Sequence, residues 1–219
     1  MEKSFWLKKW EENEIGFHGL EFNDLLTAHI GKFSLKNSNI FVPLCGKSLD
    51  LIYLSQIGKQ VMGVELSEKA IKSFFAENKL GFDSKQDGPF KRYSCRDLKI
   101  DILQGDFFDL NPDIIGKVDF IYDRASMIAL PLDMRISYSK VIGNLTSKNC
   151  QILLITTEYD YPELIGPPFS VTEAEVRDLY SNNFEITVLE RLEKGIENQR
   201  FIELGVKNPA RVVFKLIRK

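Results

Sequence analysis

A chain of 219 residues is long for one domain and short for two, and its 29 basic and 31 acidic residues leave a net charge of -2. That balance gives no broad attraction for nucleic acid or an anionic membrane surface, so large polyanionic partners are excluded on electrostatic grounds. Three cysteines without metal-type spacing and only two histidines argue equally against a structural zinc site, and no metal site is expected.

The N-terminus, MEKSFWLKKWEENE, lacks the apolar stretch of a signal peptide. No apolar run approaches the roughly 18 residues of a membrane span. A cytoplasmic protein without membrane partners is expected. Trp6 and Trp10 lie one helical turn apart and share a face, a pattern that ordinarily marks core. No Pro/Gly/Ser-rich linker or charge run divides the chain, so residues 1–219 read as one compact domain.

The stretch Ile40 to Glu65 reads as strand, turn, helix and strand. Ile40 to Leu44 is too short for a helix and long enough for a buried parallel strand. Cys45-Gly46-Lys47 forms the turn, and Ser48 can cap the helix that follows. Val61 to Val64 then delivers Glu65 to the carboxyl end of its strand, where a carboxylate can accept both hydroxyls of a ribose. The turn holds a single glycine where a dinucleotide fingerprint has three, which points away from a pyrophosphate and toward a smaller adenosine-bearing ligand.

Ser67 to Asn78 has a capping serine and helical spacing at Ala70, Ile71, Phe74 and Phe75. Phe90 to Leu103 reads as two strands about a turn at Arg96-Asp97, the second leading into Gly105-Asp106. Further strands are expected at Asp119 to Asp123 and Gln151 to Glu158, with a helix at Asp133 to Leu145 between them. Thr172 caps a helix to about Tyr180, with Glu175 placed to complete a capping box. Strands at Glu185 to Leu192 and Ala210 to Ile217, separated by a turn-rich insertion, close the chain. This alternation predicts a doubly wound, mostly parallel α/β sheet, and the closing pair without an intervening helix predicts an antiparallel edge strand.

Several polar groups fall at expected strand ends. Asp106 and Phe107 follow the third strand, where an aromatic can stack on adenine and a carboxylate can accept its amine, although Asp106 can equally cap a turn. Asp123 and Arg124 end the strand DFIYDR, on the same edge as Glu65. The arginine's planar fork suits a carboxylate or an anionic substrate, while an Asp-Arg pair is otherwise a common salt bridge. Gly166-Pro167-Pro168-Phe169 makes a stiff loop that either presents an aromatic to a ligand or simply connects elements. A lone His18 reads first as structural, His29 as an ordinary helix residue, and Cys45 as turn packing.

The strings VPLCGKSLDL, GVELSEKAI, FIYDRASMIAL and GPPFSVTEAEV, with W-x3-W and IGFH before them, resemble the thiopurine S-methyltransferase family, in order from Trp6 to near the C-terminus. The resemblance implies a class I (Rossmann-like) methyltransferase fold and an enzyme that uses S-adenosylmethionine, releases S-adenosylhomocysteine and methylates the sulfur of a small aromatic or heterocyclic thiol. Methylation of selenium, tellurium or halide anions and a non-catalytic cofactor-binding module are the alternatives. It further implies a monomer acting on a small thiol or chalcogen substrate, with residues 1–30 as a cover over the active site. The cofactor residues it implies are Trp10, Phe17, Leu44, Cys45, Gly46, Glu65, Leu66, Asp106, Phe107 and Arg124. Arg124 and Asp123 are the implied catalytic pair, and Pro168, Phe169 and Arg200 the substrate contacts. The tail around Arg200, ENQRFIELG, departs more from the family pattern than the central motifs do.

Overall fold

The computed structural model describes residues 2–16, 18–160, 166–193 and 199–219, with the side chains at 199, 200, 207 and 208 outside that description. In chain order the elements are α1 (Lys3–Glu11), α2 (Asp24–His29), β1 (Asn39–Val42), α3 (Asp50–Ile57), β2 (Gln60–Glu65), α4 (Glu68–Glu77), β3 (Asp83–Asp87), β4 (Phe90–Cys95) and β5 (Ile100–Gln104). There follow α5 (Pro112–Ile115), β6 (Phe120–Arg124), α6 (Leu132–Leu145), β7 (Gln151–Asp160), α7 (Glu173–Tyr180), β8 (Phe184–Leu192), α8 (Gln199–Glu203) and β9 (Lys207–Arg218).

The strands form one nine-stranded sheet in the order β3-β4-β5-β2-β1-β6-β7-β9-β8. The five central strands, β5 through β7, run parallel. Both flanks are antiparallel: β9 inserts between β7 and β8, and the β3–β4 hairpin adds to β5. The expected closing pair is therefore present, and a second antiparallel edge stands on the opposite side.

Strand residues alternate between two cores, as the two-residue period of a pleated strand requires. Phe41, Ile121, Ile152, Leu154 and Phe214 pack into one core with residues of α6 and α7. Ile40, Val42, Phe120, Tyr122 and Leu153 pack into the other with residues of α2, α3 and α4. Among the described residues, no helix is long and apolar enough to cross a membrane.

Three local expectations are corrected. The helix after β1 begins at Asp50, its N-cap is Leu49, and the Ser48 hydroxyl accepts from the Asp50 amide at 3.2 Å just outside it. Thr172 does cap α7, accepting from the Glu175 amide at 3.2 Å, but the Glu175 carboxylate does not return to the cap. It pairs instead with the buried Arg135 guanidinium on α6, through Nε and Nη2. A bidentate ion pair at a buried site outcompetes a single bond to a backbone amide. The segment between β8 and β9 contains the short helix α8 where only turns were expected.

Candidate active site

The strand order reverses at β1: from there the chain runs outward to β2 and β5, then returns to β6 on the other side. In an open α/β sheet, ligands bind in the crevice outside the carboxyl ends of the strands at such a reversal. Glu65, Asp123 and Arg124 all end strands on this edge, as the sequence predicts.

Glu65 is 7% exposed. Its Oε2 accepts from the Gly46 amide at 2.9 Å and its Oε1 from the Ser67 amide at 2.8 Å. Burial raises its pKa, and the hydrogen bonds from the Ser67 and Gly46 amides oppose the rise. A carboxylate oxygen can accept more than one hydrogen bond, so each retains capacity toward a ligand. Glu65 thus fixes the turn after β1 while facing the crevice edge.

That turn is tightly built. Leu44 adopts φ +44°, and Gly46 φ +54°. A β-carbon on Gly46 would lie 3.1 Å from Trp10 Cζ2, so the indole of α1 covers this turn and requires glycine beneath it. Trp10 is buried, whereas Trp6 is half-buried. Cys45 is buried with its Sγ aimed at Gly63, where an added β-carbon would sit only 2.6 Å away. Burial, followed by the Glu65 charge, pushes the Cys45 thiol pKa up, so this is a packing group and not a nucleophile. Gly63→Ala is expected to destabilise by about 1–3 kcal/mol through overpacking. Combining it with Cys45→Ala should cost less than the sum of the single changes in denaturant melts; strict additivity would show that the thiol is not what holds the position to glycine.

Across the crevice, Asp123 is 2% exposed. Its Oδ2 accepts from the Tyr138 hydroxyl of α6 at 2.7 Å, and the Ser126 hydroxyl and the Met127 amide also favour its charged form. Burial pushes its pKa up to about 6, against hydrogen bonds from Tyr138, Ser126 and the Met127 amide. The sign of the pH effect follows. As pH rises from about 3, the unfolded carboxyl ionises first, so stability falls as pH passes through the native pKa near 6 and is flat above about 7. Relative to Asp123→Asn, the wild type should lose on the order of 3 kcal/mol between about pH 3 and 7. A pH-independent difference in urea midpoints would contradict this.

Arg124 is half-buried, and among the described residues its guanidinium makes no hydrogen bond or ion pair. The next residue, Ala125, adopts φ +63°, and the buried Ser126 hydroxyl donates to the Pro43 carbonyl at 2.9 Å. His18 carries a lowered pKa, chiefly from burial and then from the nearby positive charge of Lys47, with Arg124 a smaller contributor of the same sign. Lys47 itself pairs with Glu77 at 2.7 Å. Asp50, at the start of α3, accepts from the Asn23 amide at 2.8 Å and the Tyr122 hydroxyl at 2.9 Å, tying the N-terminal segment to the strand that ends in Arg124.

The remaining expected contacts divide. Leu66 lines a groove of about 680 Å³ between α1 and α4, together with Leu7, Glu11, Ser73 and Gln104. Asp106 is held at both oxygens: one caps the Phe108 amide at 2.9 Å and the other pairs with Lys3 at 2.6 Å. Phe107 is 1% exposed and stacks on Tyr138 with centroids 4.6 Å apart. A ring buried in the core on both faces does not offer a face to adenine, so the expectation of stacking on Phe107 is corrected. Phe108, edge-on to it, is the half-buried ring of the pair.

In the Gly166–Phe169 loop, the Phe169 amide donates to the Ile128 carbonyl at 2.6 Å, and the Tyr159 hydroxyl donates to Pro168 at 2.7 Å. The Phe169 ring lies against the Arg135 guanidinium at 5.9 Å. Phe17 and the Arg200 side chain lie outside the described residues. The sequence reading missed Tyr138, which bonds Asp123, and Ser126 and Asp50, which tie together the segments beside the site. His29 is more than a plain helix residue, since its Nε2 lies 2.7 Å from Glu190 on β8.

A doubly wound sheet of this order, with an acid closing the second strand beside a single-glycine turn, defines a class I S-adenosylmethionine-dependent methyltransferase. The structure of 1,6-didemethyltoxoflavin-N1-methyltransferase from Burkholderia thailandensis, solved with 1,6-didemethyltoxoflavin and S-adenosylhomocysteine, shares this fold. Its TM-score is 0.65 at 14% identity, over 99% of this chain and 86% of that one. The family described as Thiopurine S-methyltransferase (TPMT) matches residues 1–219. Thiopurine S-methyltransferase of Pseudomonas fluorescens (strain SBW25) is 40% identical over 220 residues, and that of Pseudomonas aeruginosa (strain UCBPP-PA14) is 41% identical over 219, each covering 100% of both chains. The chain belongs to the thiopurine S-methyltransferase family, and it is an S-adenosylmethionine-dependent methyltransferase.

The residues present fit that cofactor. Glu65 would offer acceptors for two ribose hydroxyls, and the turn lacks the glycines a pyrophosphate needs. Arg124 supplies a guanidinium without a protein counter-charge among the described residues.

Proposed function

We propose that this enzyme methylates the sulfur of a small aromatic or heterocyclic thiol, giving a thioether and S-adenosylhomocysteine. The observation that carries the reading is Arg124: a half-buried arginine, without an ion-pair partner among the described residues, at the carboxyl end of a central strand beside the cofactor turn. Such a group is suited to an anion that arrives with the ligands.

S-adenosylmethionine supplies an electrophilic methyl carbon on a sulfonium, whose positive charge disappears as the methyl leaves. In this reading Glu65 binds the ribose, the backbone of Leu44, Cys45 and Gly46 meets the amino-acid end, and residues 1–30, through Trp10 on Gly46, form the cover that excludes water. Arg124 orients the acceptor or the cofactor carboxylate, and Pro168 and Phe169, held by Tyr159 and Ile128, border the acceptor side. The protein's work is alignment and exclusion of solvent. The thiol gives its proton to solvent before attack, and its sulfur pair would form the new S–C bond as the methyl's bond to the sulfonium breaks, releasing neutral S-adenosylhomocysteine.

The pH profile tests this. An aromatic thiol already ionised at pH 7 should show little change in kcat/KM between pH 7 and 9, while an aliphatic thiol should speed up. A steep dependence shared by both, abolished by His18→Ala or Asp123→Asn, would establish a protein base instead. Turnover on selenite, tellurite or iodide with none on any thiol would overturn the acceptor assignment.

A further inference from the structure

The two turns that build the crevice each contain a non-glycine residue in the left-handed region, Leu44 at φ +44° and Ala125 at φ +63°. Residues with a β-carbon reach that region at a steric cost and stay there only where the surroundings hold them. Leu44 carries the backbone of the cofactor turn, and Ala125 directly follows Arg124. Strands β1 and β6 are parallel neighbours, with Phe41 opposite Ile121. Beyond their ends the two chains diverge, one toward β2 and the other toward β7, so the sheet ladder no longer couples them.

A buried side-chain hydrogen bond spans the gap. Ser126 Oγ donates to the Pro43 carbonyl at 2.9 Å, one residue before Leu44 and one after Ala125. Ser126 is 0% exposed, so water has no access to replace the hydroxyl. The other end of the same turn is anchored by Asp123, which accepts from Tyr138 on α6 at 2.7 Å. Residues 123–126 are therefore clamped on the α6 side by Asp123 and on the β1 side by Ser126, with Arg124 between the two anchors.

We propose that Ser126 is a positioning residue that locks the cofactor turn after β1 to the Arg124 turn after β6, so that both sides of the crevice are set as one unit. A ligand touching either turn then meets a conformation that the other turn helps to fix. This rests on the reading above only in assigning Leu44 and Arg124 to the ligand crevice.

The test uses the full chain and no acceptor. Ser126→Ala deletes the hydroxyl without adding bulk. S-adenosylhomocysteine affinity, by titration calorimetry, is expected to fall about tenfold, the scale of one lost hydrogen bond that had also held a strained turn. Amide hydrogen exchange in the ligand-free protein should accelerate together at residues 44–47 and 124–127. Combined with Arg124→Lys, the losses in affinity should be less than the product of the single effects, since both act through one unit. A Ser126→Ala protein that melts a few degrees lower, yet keeps wild-type affinity and wild-type exchange in both turns, would reduce Ser126 to ordinary packing and overturn the proposal. If Ser126→Ala fails to fold, Ser126→Cys keeps the volume with a weaker donor; intermediate affinity is expected, and wild-type affinity would overturn the idea equally. Since no acceptor enters these readouts, absence of thiol methylation would sink the proposed function and leave this inference to stand or fall by itself.

Discussion

Glu65→Ala is expected to weaken S-adenosylhomocysteine binding by about 100-fold or more and to lower the stability of the free protein at the same time. Charge-assisted hydrogen bonds contribute roughly 1.5 to 3 kcal/mol each, and two ribose hydroxyls would be lost as partners. The fold should survive the change, at a cost in stability that the structure identifies. Glu65 already accepts from the Gly46 and Ser67 amides, and both would be left buried and unpaired. An unsatisfied buried donor costs about 1–3 kcal/mol, so the two amides together should cost about 2–6 kcal/mol of stability along with the affinity. Glu65→Gln separates the contributions, because its amide can still accept one of the two backbone bonds while presenting a donor to the other. Calorimetric titration and urea melts on the three proteins decide it. Unchanged affinity in Glu65→Ala would remove the ribose role, and lost affinity with unchanged stability would remove the structural one.

What was legible in the sequence follows the physics of each segment. The central strands are short apolar runs buried on both faces, so β1, β2, β6 and β7 stood out, and the order of strands and helices implied their parallel pairing. Strand β3 was invisible because its residues, DSKQD, are polar and mostly exposed. It exists through pairing with β4, a long-range condition that no local pattern records. Phe107 illustrates a different limit. Its position after β5 was read correctly, but adjacent aromatics face different ways, and only packing decides that Phe107 enters the core beside Tyr138 while Phe108 stays half-buried. Glu175 fits a capping box by spacing, and nothing local shows that the buried Arg135 competes for it. The site itself was readable wherever a functional group ends a strand, as with Glu65, Asp123 and Arg124. The groups that hold those residues were not, because Ser126 and Tyr138 act across the gap between elements distant in sequence.

Arg124→Lys should lower kcat/KM for an aromatic thiol by about 10- to 100-fold, the range corresponding to loss of one charge-assisted bond, while the melting temperature stays within a degree or two of wild type. The prediction turns on what the guanidinium now touches. Among the described residues it has no carboxylate partner, so replacing it breaks no ion pair there. Lysine keeps the charge and loses the planar fork, which matters only to a ligand that engages two donors at once. Were Arg124 instead a surface ion-pair residue, the pattern would reverse, with full activity and up to about 1 kcal/mol of stability lost. Measuring kcat and KM separately at saturating cofactor sharpens the result. A rise in the acceptor KM alone assigns the fork to acceptor binding, and a fall in kcat at unchanged KM assigns it to alignment in the transition state. Wild-type kinetics in both Arg124→Lys and Arg124→Ala would take this residue out of the site and leave Glu65 and the Trp10-covered turn as its anchors.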